Sequence, residues 1–150
     1  MSSGVIVDAN VAIKWVLRED DSHIARSLLS RWIKEQVVVL APTLFTYEIT
    51  NILYRKARQG EISLDRAKLG ITKILSTGLE IADLEEFGPS INIRAIELAG
   101  QFNLPATYDA HYLALAEREG YNLWTADTRM WNAVKGKLNW VNNIDEHKPT

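Results

Sequence analysis

Short runs of β-branched and aliphatic residues alternate along this chain with longer stretches in which apolar positions recur every three or four residues. Val5-Ile6-Val7, Val37-Val-Val-Leu-Ala41 and Leu123-Trp-Thr125 are the clearest runs. They are too short and too continuous for helices and read as strands buried on both faces. Leu79 to Ala82 is a weaker strand and Trp140-Val141 a candidate edge strand. Helical spacing predicts segments from Val11 to about Leu17, from Ser22 through Ile33, from Thr43 to Gln59, from Ser63 to near Thr77, from about Ser90 to Phe102, from about Tyr108 to Glu119, and from Thr128 to Val134. Ser22 and Ser63 are expected N-caps and Gly60 an expected terminator. In the second helix Ile24, Leu28, Leu29, Trp32 and Ile33 fall on one side, and in the fifth Ile93, Ile96, Leu98 and Ala99 are expected to face inward. Strands alternating with helices predict an α/β fold, a three-layer α/β/α sandwich around a central, mostly parallel sheet.

Composition narrows the picture without deciding the function. A length of 150 residues suits one domain, 1–150, able to bury roughly 68–70% of its unfolded surface. With no Cys, thiolate–metal sites, disulfides and cysteine nucleophiles are excluded, which fits a reducing compartment. A net charge of −2 excludes a generally basic nucleic-acid coat but leaves room for a local patch. No segment has the apolar length of a membrane span or the layout of a secretory signal, so a cytoplasmic location is expected and no membrane partner.

Candidate chemistry lies where the periodic elements end. Asp8 closes the first run, at the carboxyl end of a parallel strand, where open α/β sheets bind ligands. Asp8 or Asn10 could equally cap the next helix. Glu48 lies in an otherwise apolar row, Leu44, Glu48, Ile52, beside Phe45, Ile49, Leu53. Burial there disfavours its charged form, so it needs a cation, a proton or an ion pair, with Arg55 or Lys14 as partners, unless it reaches water at the edge of the stripe. Asp109 opens the sixth helix, where the dipole favours an acid, and shares a face with Tyr112 and Leu113. Asp127 follows the strand ending in Thr125 and repeats the first pattern, with capping of the next helix as its plain reading. Each acid alone has an ordinary explanation. Together they fall at two strand ends, one helix start and one inward helix face. Four converging carboxylates repel one another, and a divalent cation held by oxygen ligands, Mg2+ or Mn2+, relieves this. His111 points away from this row and is expected at the surface or between helices.

In this arrangement the chain resembles the PIN domain family, and within it the VapC-like toxin ribonucleases of type II toxin–antitoxin systems. The resemblance is carried by Val-Asp8-Ala-Asn10, by Glu48 in Glu-Ile-Thr-Asn51 on a long helix, by Tyr-Asp109-Ala before Leu-Ala-Leu-Ala, and by Thr125-Ala-Asp127 after a strand. It implies a catalytic set of Asp8, Glu48, Asp109 and Asp127, with Asp8, Asp109 and Asp127 as metal ligands and Glu48 as ligand or as orienter of the attacking water. Asn10 and Thr125 would support the set; the position of Asn10 is often a small hydroxyl residue in the family. The implied activity is endoribonuclease cleavage of RNA with Mg2+ or Mn2+, leaving 3′-hydroxyl and 5′-phosphate ends. The implied partners are an RNA substrate, a cognate antitoxin protein and a second copy in a homodimer. Alternatives are an RNA-processing nuclease of the same fold without an antitoxin, and a non-catalytic module binding RNA or protein.

Substrate phosphates require nearby cations, for which Lys14, Arg18, Arg55, Arg58 and Arg129 are candidates, with Lys14 nearest the site in sequence. Trp15, Tyr108, Trp124 and Trp131 are candidates for base stacking or for the core. A phosphoacceptor receiver domain would need an acid after the second strand, where Ala41-Pro42 stands, and an Asp-x-Asp phosphohydrolase would need an aspartate in place of Asn10.

Overall fold

The alternation resolves into the elements β1 (Gly4–Val7), α1 (Ala9–Val16), α2 (Ser22–Lys34), β2 (Val38–Ala41), α3 (Leu44–Arg58), α4 (Leu64–Leu75), β3 (Glu80–Ile81), α5 (Ser90–Gln101), α6 (Tyr108–Glu119), β4 (Asn122–Thr125), α7 (Thr128–Val134) and β5 (Val141–Asn143), followed by a 3-10 turn at Ile144–Glu146. These come from a computed structural model that describes residues 3–82 and 89–146.

The five strands form a sheet in the order β3-β2-β1-β4-β5, with every neighbouring pair parallel. β1 is central, as its unbroken apolar run requires: Val5, Ile6 and Val7 are all buried. Val7 lies in register with Trp124, so the residues that follow, Asp8 and Thr125, sit side by side at the carboxyl edge. α1 packs against α2, α3 and α4, and α5 against α6, which also touches β1 and β4. Right-handed crossovers place the first group on one face of the sheet and α5 and α6 on the other, giving the three-layer α/β/α fold. The chain reverses its winding direction between β1 and β4, the place at which open α/β sheets bind their ligands. Among the described residues no helix is long and apolar enough to cross a membrane.

Local chemistry sets the helix ends. Asp8 caps α1 by accepting from Val11 N at 3.0 Å, Ser63 caps α4 through Arg66 N at 3.0 Å, and Asp127 caps α7 through Met130 N at 3.1 Å. α1 therefore begins at Ala9 rather than near Val11. α6 ends on Gly120, whose φ of 70° favours a residue without Cβ. Arg94 clamps α5 to α6 with two bonds to Glu117, at 2.7 and 2.9 Å.

Two inward assignments on α5 are corrected. Ile93 and Ile96 are 55% and 66% exposed, and the buried stripe of α5 is Ile91, Ala95, Leu98, Ala99 and Phe102. Positions 91, 95, 98 and 102 keep the spacing of one helix face, which leaves 93 and 96 on the opposite side. Ile33 is likewise exposed, at the last turn of α2.

α3 and α4 approach closely at Gly70, where a Cβ would lie 3.3 Å from Leu53 Cδ1. Gly70→Leu is expected to overpack this crossing and cost about 1–3 kcal/mol, read as a lower urea midpoint at unchanged slope. Leu53→Ala in the same chain should recover part of that loss by making room.

Candidate active site

The site at the carboxyl ends of β1 and β4 is built from both strand ends and from α3 and α6. Asp8 is 4% exposed, and both of its oxygens are engaged. Oδ1 accepts from Val11 N, and Oδ2 accepts from Thr125 Oγ1. The Thr125 hydroxyl in turn accepts from Asp127 N at 2.9 Å, so one buried side chain ties the two strand-end acids together. Asp8 and Asp127 are also the N-caps of α1 and α7.

The helices supply the other two acids. On α3 the row Phe45, Ile49, Leu53 is fully buried, whereas Leu44, Glu48 and Ile52 are half-buried at its flank. Glu48 has no ion-pair partner among the described residues. Its Oε1 instead accepts from Tyr112 OH at 2.6 Å, across from α6. Asp109, half-buried in the first turn of α6, completes the group.

The four carboxylates feel one another. Burial pushes Asp8 up to about 7, with the charges of Asp127 and Asp109 adding to the rise and the bonds from Thr125 and Val11 opposing it. Asp109 is pushed up to about 6, first by burial and then by Asp127 and Glu48, while Arg129 pulls it back. Glu48 is raised by burial and by Asp127, against the hydrogen bond from Tyr112. Burial and the carboxylates of Glu48, Asp8 and Asp109 push the Tyr112 phenol far above its ordinary range, so it stays a neutral donor.

Such a donor set suits a hard divalent cation: all oxygen, negatively charged, and with no hydrogen-bonded basic side chain at any of the four acids among the described residues. Among those residues, however, no three acidic or imidazole groups already converge on one coordination centre. Asp8, Glu48 and Asp127 each have oxygens bonded to Val11, Thr125, Tyr112 or Met130.

The remaining candidates scatter. Thr125 is buried and donates to Asp8. Asn10 is exposed in the first turn of α1 and takes no part in the bonds that tie the acids. Arg129 lies near enough to Asp109 to act on its charge. Lys14 is occupied elsewhere, 3.0 Å from Glu19 and 2.8 Å from Asp21. Arg18 follows α1 at the end opposite Asp8 and lines a cleft of about 490 Å³ with Lys56, Glu61 and Arg66. Arg55 and Arg58 are exposed in the last turn of α3. Of the aromatics, Trp15 is buried, Trp124 meets Trp32 edge-on at 5.9 Å, Trp131 is half-buried, and Tyr108 is 61% exposed. His111 bridges helices, with Nδ1 2.7 Å from Thr107 O and Nε2 3.2 Å from Asn92 Oδ1. Tyr112 is the site residue that the sequence reading passed over as core. Its signal was a phenol three residues after Asp109 on an inward face, since a buried hydroxyl needs a partner.

A family model described as PIN domain matches residues 5–137. No curated protein matches the chain in sequence. Solved structures of similar fold include PAE2754 from Pyrobaculum aerophilum, at 23% identity over 97% of this chain and 93% of that one, with a TM-score of 0.67. A toxin–antitoxin complex from Klebsiella pneumoniae matches at 16% identity over 94% and 98%, with a TM-score of 0.66. The sarcin–ricin loop cleaving toxin VapC20 of Mycobacterium tuberculosis matches at 16% identity over 87% and 95%, with a TM-score of 0.64. At these identities the likeness is one of fold.

Proposed function

Since this chain belongs to the PIN domain family, we propose that it is a divalent-metal-dependent endoribonuclease and the toxin of a toxin–antitoxin pair. The observation that carries this reading is the meeting of Asp8, Glu48, Asp109 and Asp127 at the carboxyl ends of β1 and β4, with two of them pushed up to about 7 and about 6. Carboxylates held this way store repulsion that a bound cation relieves. The toxin reading is supported by the neighbours of similar fold, one a sarcin–ricin loop cleaving toxin and another a toxin–antitoxin complex.

In this reading Asp8, Asp109 and Asp127 hold Mg2+ or Mn2+, which supplies charge stabilisation at the phosphate and a more acidic water. Thr125 fixes Asp8 and Asp127 relative to each other. Arg129 offers positive charge to a substrate phosphate beside Asp109. A water oxygen forms the new bond to phosphorus as the bond from phosphorus to the 3′-oxygen breaks, leaving a 3′-hydroxyl and a 5′-phosphate. Exposed apolar side chains on α3 and α5, Tyr47, Tyr54, Ile93 and Ile96, offer surface for a second copy or an antitoxin segment to cover. The test is incubation of the purified protein with labelled RNA in Mn2+ or Mg2+ and then in EDTA. Fragments that appear only with metal support the reading, and RNA left intact in every mixture overturns it.

Tyr108 is the exposed member of the aromatic candidates and sits next to Asp109, on the side of α6 it shares with Tyr112. A base splayed beside the cut can stack on it. Tyr108→Ala is expected to weaken RNA binding about five- to hundredfold, measured by fluorescence anisotropy in EDTA, while Tyr108→Phe holds near wild type.

A further inference from the structure

Basic side chains that stay away from the four acids gather at the far ends of the same helices. α1 starts on Asp8 and ends at Leu17, and α3 runs on from Glu48 to Lys56 and beyond. Between these far ends and the start of α4 lies the cleft of about 490 Å³, whose charged lining is Arg18, Lys56 and Arg66 with Glu19 and Glu61. Both acids there are already neutralised, Glu19 at 3.0 Å from Lys14 Nζ and Glu61 at 3.3 Å from Lys56 Nζ. Arg18 is exposed, and neither it nor Arg66 has a carboxylate partner among the described residues. Arg66 Nη2 donates to Val16 O, while its Nη1 is buried without an acceptor. The carbonyls at the end of α1 that would repel an anion are covered, Val16 O by Arg66 and Leu17 O by Ser22 Oγ at 2.7 Å. A guanidinium with donors to spare beside a second arginine suits an oxyanion. The surroundings favour one too, because residues 55–73 hold six Lys and Arg against two acids in a chain of net charge −2.

One face of α3 joins this cleft to the acids. Asn51, Ile52, Arg55 and Lys56 follow Glu48 at i+3, i+4, i+7 and i+8, so they share its side of the helix. Asn51 and Arg55 are exposed. From Glu48 to Lys56 is roughly 12 Å along the axis, the span of about three to four nucleotides at ~3.4 Å each. We propose that the cleft is a remote phosphate subsite, in which Arg18 and Arg66 hold the backbone of an RNA strand that leaves the carboxylates along the Arg55 face of α3. The identity of the strand as substrate rests on the ribonuclease reading, but its binding can be measured without cleavage. Phosphate contacts position a strand without reading its bases, so this subsite sets a minimum substrate length and no base preference.

The experiment is fluorescence anisotropy in EDTA with labelled single-stranded RNAs of about three and about twelve nucleotides. It compares wild type with Arg18→Ala, Arg66→Gln and, as a control, Lys34→Ala at the exposed end of α2. Arg18→Ala and Arg66→Gln should each weaken the longer RNA about five- to tenfold, and each should flatten the slope of log K against log salt by about 0.7. Both should bind the shorter RNA as wild type does, and Lys34→Ala should match wild type on both RNAs. Arg18 makes no bond to the fold among the described residues, so a loss in Arg18→Ala does not report unfolding. In Mn2+ the two variants should cut saturating RNA at the wild-type rate, with only the half-saturating concentration raised. The proposal is overturned if both variants bind the longer RNA like wild type, or if they lose the two RNAs equally. A glutamate-rich peptide that binds more tightly than the longer RNA, and is lost in the same variants, would overturn it in favour of an acidic protein partner. Length-dependent RNA binding that disappears in both variants, from a wild type that cuts no RNA, would uphold the cleft and overturn the ribonuclease reading.

Discussion

Asp8→Asn should lower RNA cleavage at least about a thousandfold while leaving the protein folded. The substitution keeps size and shape and removes one charge at the centre of the carboxylate group. Asparagine is as good an N-cap as aspartate, so the bond to Val11 N and the start of α1 survive. Only the partner of the Thr125 hydroxyl changes character, from a carboxylate oxygen to an amide. In the wild type, burial and the charges of Asp127 and Asp109 all disfavour the ionised form of Asp8, so the metal-free variant should be more stable than wild type at pH 8. Lost activity therefore comes with gained stability, a combination that misfolding cannot produce. If the chain is a toxin, induced expression should arrest growth with the wild type and not with the variant. A variant that cuts RNA within about tenfold of wild type would remove Asp8 from the catalytic set.

In EDTA the folded protein is expected to lose stability as pH rises from about 4 to about 7. An unfolded Asp8 ionises near 3.8 and the folded one near 7. Below that window both states hold the proton and nothing is lost; within it the unfolded chain releases a proton that the folded chain keeps; above it the penalty is complete. For a side chain this deeply buried the loss is roughly 4 kcal/mol, with Asp109 and Glu48 adding in the same direction. Asp21 and Glu117, held below the ordinary carboxylate range by Lys14 and Arg94, act in the opposite sense, and their contributions fade as pH falls. Metal-free stability should therefore peak near pH ~4. Because protons and metal compete for the same oxygens, Mn2+ should raise the melting temperature more at pH 8 than at pH 5. Calorimetric scans at the two pH values, with Mn2+ and with EDTA, measure this directly. Equal melting temperatures at pH 5 and 8 in EDTA would mean that the carboxylates do not share a buried environment.

What could be read without coordinates was the part governed by local rules. An apolar run ending in an acid is visible in a line of text at Val7-Asp8, and the repeat of that logic at Thr125 and Asp127 shows that two strands end alike. The four-residue rows of α3 exposed Glu48 as an anomaly for the same reason. Contacts between distant segments were not legible. The bond from Tyr112 to Glu48 spans 64 positions and unites helices from different layers. Lys14 looked like a phosphate ligand because it is near Asp8 in sequence, but five residues of α1 separate the two, and Glu19 and Asp21 in the following loop take up its charge. In α5, apolar residues lie on both sides of the helix, so hydropathy alone could not choose between Ile91 with Ala95 and Ile93 with Ile96. Capping and chemistry looked like rival accounts of Asp8 and Asp127, yet one oxygen can serve a helix while the carboxylate faces a crevice.

Among the described residues both margins of the sheet are short. β3 contributes two residues, one of them the charged Glu80, and β5 contributes three before Asn143 Oδ1 accepts from Asp145 N at 2.9 Å and turns the backbone away. An extended segment from another chain would find almost no open ladder there to join. On the described surface, outward side chains of the helices offer far more area for recognition than main-chain pairing does.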